Sequence, residues 1–235
     1  MTGPSTTAPA KVVAAWDETP LFRGIALQLP AELAGAHERP GQVVKVRTGA
    51  GEGFFALATA PDPAGQVELL VKRGGRVADA TVEAAVPGQA LEVTPPFGKG
   101  FPVEAARGRD VLLFAAGSGI APIRSLVQHL IAGRDHFGRL TLFYGQRRGA
   151  DFAYRGEHLH WEQHGIRVVL CPSREGDAWT GVRGYVQDVA RSIGFGGSEP
   201  AGSVAFVVGM TAMVEDVRRT LAEAGVPPER VHVNF

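Results

Sequence analysis

The segment from Val111 to Pro122 constrains the fold of this chain more than any other. It begins with six apolar residues without alternation, a run typical of a strand buried on both faces of a parallel sheet. The run stops at Gly117-Ser118-Gly119, where glycine backbone can turn tightly and approach a ligand. Pro122 stands where the first turn of a helix tolerates proline. A strand, a glycine turn and a helix N-terminus together form an anion site, suited to the pyrophosphate of a dinucleotide.

Composition excludes several classes of protein. Lys plus Arg and Asp plus Glu each number 24, which argues against nucleic acid or an anionic membrane as the main partner. No apolar run approaches the roughly 20 residues that span a bilayer, and residues 1–10 lack the apolar core of a signal peptide. We therefore expect a cytoplasmic protein.

Cysteine and histidine usage limits the redox chemistry of the chain itself. Cys171 is the only cysteine, so neither an internal disulfide nor a four-cysteine iron–sulfur cluster can form. Any such cluster has to lie on another protein. The histidines show no metal-ligand spacing, so we expect no metal site, and we interpret Cys171 as a structural thiol.

Two patterns of secondary structure divide the sequence. Up to about residue 107, short strand-like runs alternate with turn clusters, as in an antiparallel barrel. From about residue 110, strands alternate with helices, which predicts a doubly wound parallel sheet. We predict a disordered lead-in over residues 1–10, a six-stranded antiparallel β-barrel domain over 11–107 and a nucleotide-binding α/β domain over 108–235.

The predicted elements follow these patterns. The barrel strands are expected at Val12–Trp16, Gly24–Leu29, Val43–Arg47, Phe54–Ala58, Val67–Val71 and Leu91–Val93. The parallel strands are expected at residues 111–116, 140–145, 167–171, 204–209 and 231–235, with helices at 122–132, 156–164, 183–192 and 211–224.

Five short motifs occur in an order that is more specific than any one of them. In chain order they are Gly117–Pro122, Phe143–Arg147, Trp179–Val186, Gly209–Met213 and Val231–Phe235. With a barrel in front of them, the sequence resembles the ferredoxin–NADP reductase superfamily over residues 11–235. The fourth motif stands where that family usually has Cys-Gly-Pro-x-x-Met.

The resemblance implies a flavin-dependent NAD(P)H oxidoreductase that passes hydride from nicotinamide to flavin and electrons to a separate acceptor, a protein or a small molecule. It implies FAD as the flavin, with FMN as the alternative, and NADPH as the nucleotide, with NADH as the alternative. The implied nucleotide contacts are Gly117, Ser118, Gly119, Pro122, Arg147, Ser173, Arg174, Arg183, Tyr185, Gly209, Met210 and Met213. The implied flavin contacts are Phe54, Phe55, Ala56, Leu57, Val71, Arg73, Gly75, Arg76, Gly98 and Phe235.

The flavin half departs from the family's pattern Arg-x-Tyr/Phe-Ser/Thr. Gly53 stands in place of the Arg that binds the flavin phosphate, and Ala56 in place of the hydroxyl that bonds flavin N5. A second phosphate motif, Gly-x-x-Ser/Thr, has Ala78 in place of its hydroxyl. Arg73 and Arg76 are the candidate replacements for the missing Arg. The segment 55–61 and the Asn-Phe ending resemble a plastid-like branch that also lacks this Arg.

The nucleotide half keeps the family pattern. Ser173, Arg174 and Arg183 stand at the positions that bind a 2′-phosphate in NADP-specific members, and Tyr185 can stack on the adenine. The pattern Trp-x-Gly-x-x-Gly-Tyr also occurs in NADH-dependent relatives, so both nucleotides stay open.

Plainer interpretations compete at single residues. Ser118 can simply let the turn close, Phe55 can be a core residue, and Arg73 and Arg147 can be surface charges. Phe235 is either a cover over the flavin face or a frayed end. No side chain is assigned an acid–base role, since hydride transfer itself needs none.

Two other functions stay open as well. A missing phosphate cation favours a flavin reductase that takes flavin as a diffusible substrate. The combined losses at Gly53, Ala56 and Ala78 favour a flavin-free, nucleotide-binding subunit of a larger complex.

Overall fold

The structure, a computed structural model, describes residues 3–174 and 179–234. Its first half contains strands β1 (Ala8–Asp17), β2 (Phe22–Gln28), β3 (Val43–Thr48), β4 (Gly51–Ala56), β5 (Gln66–Lys72) and β6 (Ala90–Val93), with helices α1 (Ala31–Ala34) and α2 (Arg76–Ala84). These strands form one antiparallel sheet in the order β4-β3-β6-β1-β2-β5.

The two edges of this sheet meet and close it into a barrel. Leu57, just after β4, pairs with Leu69 of β5, and the Ala58 N–H donates to the Glu68 carbonyl at 2.8 Å. Alternate residues of the strands point inward, as the pleat requires, and fill the interior with Val, Leu and Ile side chains. Each of these contributes roughly 1.5–3 kcal/mol of hydrophobic stabilisation. The predicted six-stranded barrel is confirmed.

The second half is a parallel sheet with helices on both faces. It contains strands β7 (Val111–Ala116), β8 (Leu140–Gln146), β9 (Ile166–Pro172), β10 (Val204–Val208) and β11 (Val231–Val233), with helices α3 (Ile120–Ala132), α4 (Arg155–Gln163), α5 (Val186–Ser192) and α6 (Thr211–Glu223). The strand order is β11-β10-β7-β8-β9, and the pairs are all parallel. The predicted doubly wound α/β fold is confirmed.

The central position of β7 explains the apolar run at residues 111–116. Leu113 and Ala115 face one core cluster with residues of α3 and α4. Leu112 and Phe114 face the opposite cluster, which includes residues of α5 and α6. A strand covered on both faces buries every side chain, so its sequence shows no alternation.

Several elements differ from the prediction, in their bounds or in being present at all. β1 begins at Ala8, inside the range expected to be a disordered lead-in, because Ala8 to Ala10 pair with Leu91 to Val93 of β6. α5 begins at Val186 rather than 183. Helix α2 was not predicted, since its residues were interpreted only as part of a phosphate motif. Among the described residues, no helix combines the length and the apolar character that crossing a bilayer requires.

Candidate functional site

A cleft of about 940 Å³ lies between the barrel and the parallel sheet. The carboxyl ends of β7, β8, β9 and β10 line one side, where open α/β sheets bind their ligands. Residues of β4 and the end of β5 line the other side. The cleft brings together most of the residues singled out in the sequence: Phe54, Phe55, Ala56, Gly117, Ser118, Gly119, Pro122, Arg147, Ser173, Arg174, Tyr185, Gly209, Met210 and Met213.

The other candidates lie elsewhere. Leu57 and Val71 are buried in the barrel core. Arg73 forms an ion pair with Asp17 at 2.5 Å, and Arg183 donates to the Trp179 carbonyl at 2.8 Å. Outside the cleft lining are also Gly75, Arg76 and Gly98. Phe235 lies outside the described residues.

The glycine turn between β7 and α3 has two positions that only glycine fills well. Gly117 has a φ of +59°, in the left-handed region. A Cβ on Gly119 would lie 2.5 Å from the Val208 carbonyl oxygen of β10. Among the described residues, no side chain caps the N-terminus of α3. The Ile120 N–H bonds back to the Gly117 and Ser118 carbonyls and Pro122 has no N–H, so an anion in the cleft would meet the amides of the glycine turn itself, at the positive end of the helix dipole.

Two buried side chains support this turn from β8. Gln146 Nε2 donates to the Tyr144 hydroxyl at 2.7 Å, and both side chains reach the Gly117 carbonyl at 3.5 Å. The Ala153 N–H donates to the same hydroxyl at 3.3 Å. Burial raises the pKa of Tyr144 above its ordinary value, so the phenol stays neutral and serves as a fixed hydrogen-bonding group.

The far end of the cleft carries polar and cationic groups. The Arg174 N–H donates to the Arg147 carbonyl at 2.8 Å, which holds the ends of β8 and β9 side by side. Gln187, missed in the sequence analysis, also lines the cleft. It is only 8% exposed, and its Oε1 has no partner in the part of the chain that the structure describes. A buried carbonyl of this kind fits a ligand that donates a hydrogen bond there.

The barrel side of the cleft carries an aromatic pair. Phe54 is 52% exposed and packs edge-on against Phe97, with ring centroids 6.1 Å apart. Phe55 packs partly against the barrel core. An aromatic floor of this kind fits a planar ring system such as a flavin.

Helix α2 covers the position where the family's arginine is missing. A Cβ on Gly53 would lie 2.9 Å from Val77 Cγ1 of α2 and 3.0 Å from the Phe55 ring. The first turn of α2 thus occupies the space above Gly53. The glycine suits this packing, since any side chain at residue 53 requires Val77 or Phe55 to move.

A carboxylate of α2 itself, that of Asp79, lies at the N-terminal end of the helix. The Gly74 N–H donates to Asp79 Oδ1 at 2.9 Å. Two cations lie close by: Lys72 lines the cleft, and the Arg76 guanidinium would approach a Cβ on Gly51 to 3.9 Å. The ring end of the barrel side therefore fits a flavin as the family pattern does, whereas the phosphate end offers a different set of charges.

Cys171 reaches the cleft wall at the end of β9 but is buried. Burial raises the pKa of its thiol to about 12, so the thiol is protonated at neutral pH and is not a nucleophile. Within residues 3–174 and 179–234, no group of His, Cys, Asp and Glu side chains is arranged to hold a metal ion.

Comparison with known proteins places this architecture in a family. Residues 113–219 match the model of the oxidoreductase NAD-binding domain. The chain is 30% identical over 202 residues to the sulfhydrogenase 1 subunit gamma of Pyrococcus furiosus, covering 84% of this chain and 68% of the relative. It is 32% identical over 188 residues to ferredoxin–NADP reductase B of Sorangium cellulosum, covering 76% and 75%.

A solved structure shares the fold across both halves. The ferredoxin NADP+ reductase from Neisseria gonorrhoeae, solved with bound FAD and NADP, superposes with a TM-score of 0.83 at 17% identity, over 98% of each chain. The barrel, the parallel sheet and the cleft between them are therefore arranged as in that fold. This chain belongs to the ferredoxin–NADP reductase-like family of FAD- and NAD(P)-binding oxidoreductases.

Proposed function

We propose that this oxidoreductase takes electrons from NADPH through a bound FAD and delivers them to a separate acceptor protein. The observation that carries the proposal is the composition of one cleft. It is lined by the glycine turn 117–119, by Ser173 and Arg174, and by the aromatic residues Phe54 and Phe55. A pyrophosphate site, a polar far end and an aromatic floor are the parts that a nucleotide and a flavin need in order to meet.

The flavin, when bound, supplies the hydride-accepting ring and the capacity to release electrons singly or in pairs. The chain's own residues bind the flavin and the nucleotide and orient them relative to each other. The amides of the turn 117–119, at the N-terminal end of α3, would hold the nucleotide pyrophosphate, with the Ser118 hydroxyl beside them. Phe55 would contact the flavin ring, and Met210 and Met213 line the cleft beside Gly209. Orientation and exclusion of water are the main contributions of such a site, and no proton transfer from a side chain is needed.

The preference for NADPH rests on the charges at the far end of the cleft. Of the residues that the structure describes, Arg147, Arg148 and Arg174 line it together with Ser173 and one carboxylate, Asp151. A 2′-phosphate is bound best by guanidinium groups and a hydroxyl, because their hydrogen bonds are charge-assisted. Arg183 is part of the same proposal from its sequence position. Tyr185 is exposed at the rim and presents a ring for the adenine.

The phosphate of the flavin is the point at which this chain differs from the family pattern. We assign Arg76 and Lys72 to it, since Arg73 is paired with Asp17. FMN is the second candidate flavin, because the cations sit beside a competing carboxylate, Asp79. A flavin reductase and a flavin-free subunit are not favoured by the relatives, which are named as reductases or as subunits of a redox enzyme.

A separate acceptor follows from the single cysteine, since the chain cannot hold a four-cysteine cluster itself. The relatives' names point the same way: one is a subunit of a sulfhydrogenase and another is a reductase of ferredoxin. We therefore propose a small redox protein as the acceptor, and a cytoplasmic location.

The visible spectrum of the purified protein and its NADPH oxidation test this proposal together. We expect bound flavin, released on heating as FAD, and oxidation of NADPH with an artificial acceptor at a higher kcat/KM than NADH. A colourless protein that oxidises NADPH only with added flavin would instead be a flavin reductase. A colourless protein that stays inactive with added flavin would overturn the enzyme function.

A further inference from the structure

We propose that Arg124 is a positioning residue that fixes the two walls of the cleft relative to each other, and so sets the rate of hydride transfer. This inference rests on the proposed function. Arg124 lies on α3, outside the cleft lining, so it touches neither ligand and acts through the backbone segments that it joins.

The guanidinium of Arg124 bonds to both halves of the protein at once. It pairs with Glu68 of β5 at 3.0 Å and donates to the Ala58 carbonyl, just beyond β4, at 2.9 Å. From its own half, Glu157 of α4 accepts from Nε at 2.8 Å and from Nη2 at 2.8 Å. Arg124 is only 7% exposed, and such forked, charge-assisted bonds are short and directional.

Neighbouring residues of α3 continue this contact. Ser125 Oγ donates to the Thr59 carbonyl at 2.6 Å, and the Ala60 N–H donates to Gln128 Oε1 at 2.8 Å. The residues on this face of α3 thus hold three consecutive residues of the barrel, from Ala58 to Ala60.

These contacts lie very close to the working parts of the cleft. Arg124 is five residues beyond Gly119, on the order of 7.5 Å along the helix. Ala58 is two residues beyond Ala56, which lines the opposite wall. No flexible loop intervenes on either side. A shift of Arg124 relative to Ala58 therefore moves the nucleotide turn relative to the flavin floor by a similar distance.

A second contact joins the barrel to the α/β half, across the interface that is called the seam below, and it involves a strained residue. Tyr154 has a φ of 59°, in the left-handed region that bulky residues avoid. Its N–H donates to Glu18 Oε1 of the barrel at 2.5 Å, and Trp16 Nε1 holds the other oxygen of Glu18 at 2.8 Å. The Arg124 guanidinium lies 4.7 Å from the centre of the Tyr154 ring, so the two contacts are joined.

Ala58 and Leu70 of the barrel share one apolar core with residues of α3, and this packing is interrupted beside Arg124. A cavity of about 310 Å³ lies there, and its lining includes Trp16, Glu68, Tyr154 and Glu157. Beside this open space, the directional polar bonds of Arg124 add to the apolar packing in setting how the two halves sit. A buried ion pair adds little to stability compared with apolar packing, and its retention here is explained by the geometry it imposes.

The first test replaces Arg124 by lysine. R124K keeps the charge but loses the fork, because the donors of one ammonium share a single nitrogen and cannot reproduce contacts that the guanidinium makes through Nε, Nη1 and Nη2. We expect kcat for NADPH oxidation to fall about tenfold, since small misplacements of reacting groups cost this much or more. We expect KM for NADPH and the bound flavin content to change less than about twofold. The matched control is E223Q, which removes a carboxylate paired with Arg191 at 2.7 Å inside the α/β half and should leave all three values unchanged.

A second measurement, which needs no catalytic turnover, follows the distance between the two halves across the seam. Val13 on the barrel and Leu159 on α4 are 54% and 64% exposed, whereas the one native cysteine is buried. Spin labels on a V13C/L159C protein should therefore give a clean distance distribution between the halves. We expect R124K to broaden or shift this distribution and E223Q to leave it as in the parent. If R124K does not fold, E68Q removes the cross-seam ion pair alone and should show a smaller change of the same kind.

The outcomes separate the inference from the proposed function. A wild-type protein that does not oxidise NADPH contradicts the function, while the spin-label distances still test the role of Arg124 as a fixing residue. An unchanged kcat in R124K together with an unchanged distance distribution overturns the inference. A fall in kcat accompanied by equal loss of flavin assigns Arg124 a general structural role and overturns it as well.

Discussion

The two sides of the cleft are built in different ways. The nucleotide side consists of the ends of adjacent parallel strands, and its turn is shaped by contacts within a few residues, such as Gly119 against Val208. The barrel side depends on a helix, α2, that packs down on β4 and replaces a side chain at Gly53. A turn shaped by neighbouring residues can therefore be identified from its sequence motif, whereas a surface assembled by packing between distant residues cannot.

The largest expected effect comes from a substitution in the glycine turn on the nucleotide side of the cleft. In Gly119→Ala, the new Cβ meets the Val208 carbonyl 2.5 Å away, and this backbone oxygen cannot move without disturbing β10. We expect the turn to open and kcat/KM for NADPH to fall by about a hundredfold, with flavin content retained. Steady-state kinetics and the visible spectrum measure both. The control is Gly156→Ala, whose added Cβ meets no atom within 4 Å. Equal losses in both variants would contradict the role given to the turn.

The next effect separates NADPH from NADH. Replacing Arg174 and Arg183 by alanine removes two guanidinium groups from the proposed 2′-phosphate site. We expect kcat/KM for NADPH to fall roughly ten- to hundredfold, about 1.4–2.8 kcal/mol in total, because charge-assisted hydrogen bonds are strong but solvent weakens those of two exposed guanidinium groups, while the NADH value changes little. Arg191→Ala, on the far side of α5, serves as the control. Similar losses with both nucleotides would remove the 2′-phosphate assignment.

A smaller effect tests whether packing requires Gly53. Gly53→Ala places a Cβ 2.9 Å from Val77 Cγ1. Overpacking of this kind costs about 1–3 kcal/mol, so we expect a lower midpoint of thermal unfolding and weaker flavin retention. Adding Val77→Ala should restore part of the loss, because it frees the space above residue 53. Gly49→Ala, where a Cβ meets no atom within 4 Å, is the matched control. A fully stable Gly53→Ala protein would mean that α2 is not held against β4.

The smallest effect concerns the charge at the start of α2. Asp79→Asn keeps an oxygen for the Gly74 N–H but removes the negative charge. An anion near a helix N-terminus is worth about 0.3–1 kcal/mol, so we expect flavin to bind about two- to fivefold more tightly. Glu83→Gln, near the other end of α2, should leave affinity unchanged. Weaker binding in Asp79→Asn, measured by fluorescence titration of the flavin-stripped protein, would contradict a competing role for Asp79.

The same contrast explains how much the sequence could predict. The fold and the turn at 117–119 were predictable, because buried strands, glycine turns and helix starts are local patterns. The phosphate end of the barrel was not. Arg73 forms an ion pair with Asp17. Strand pairing brings them together, since it places Asp17 beside Arg23 and Arg23 beside Val71. No local pattern in the sequence reveals this register.

Residues that act across the seam were missed for a similar reason. In the sequence, Arg124 occupies a position typical of the solvent-facing side of an amphipathic helix. Its burial follows only from the contact between α3 and the barrel. Gln187 follows Tyr185 by two residues and lay inside a predicted helix, where nothing distinguishes a buried amide from an exposed one. In both cases the missing information was which surfaces meet.

The burial of Cys171 determines which sulfur at this cleft is oxidised first. Proteins that handle reduced cofactors in air encounter peroxide, and a thiol that stays protonated and covered reacts slowly with it. The exposed sulfur at the cleft is instead the thioether of Met210, which is 75% exposed. We expect peroxide to convert Met210 to the sulfoxide before Cys171 is touched, which mass spectrometry of the two peptides can check. Damage at this cleft would then be of the kind that methionine sulfoxide reductases repair, and would not cross-link one copy of the chain to another.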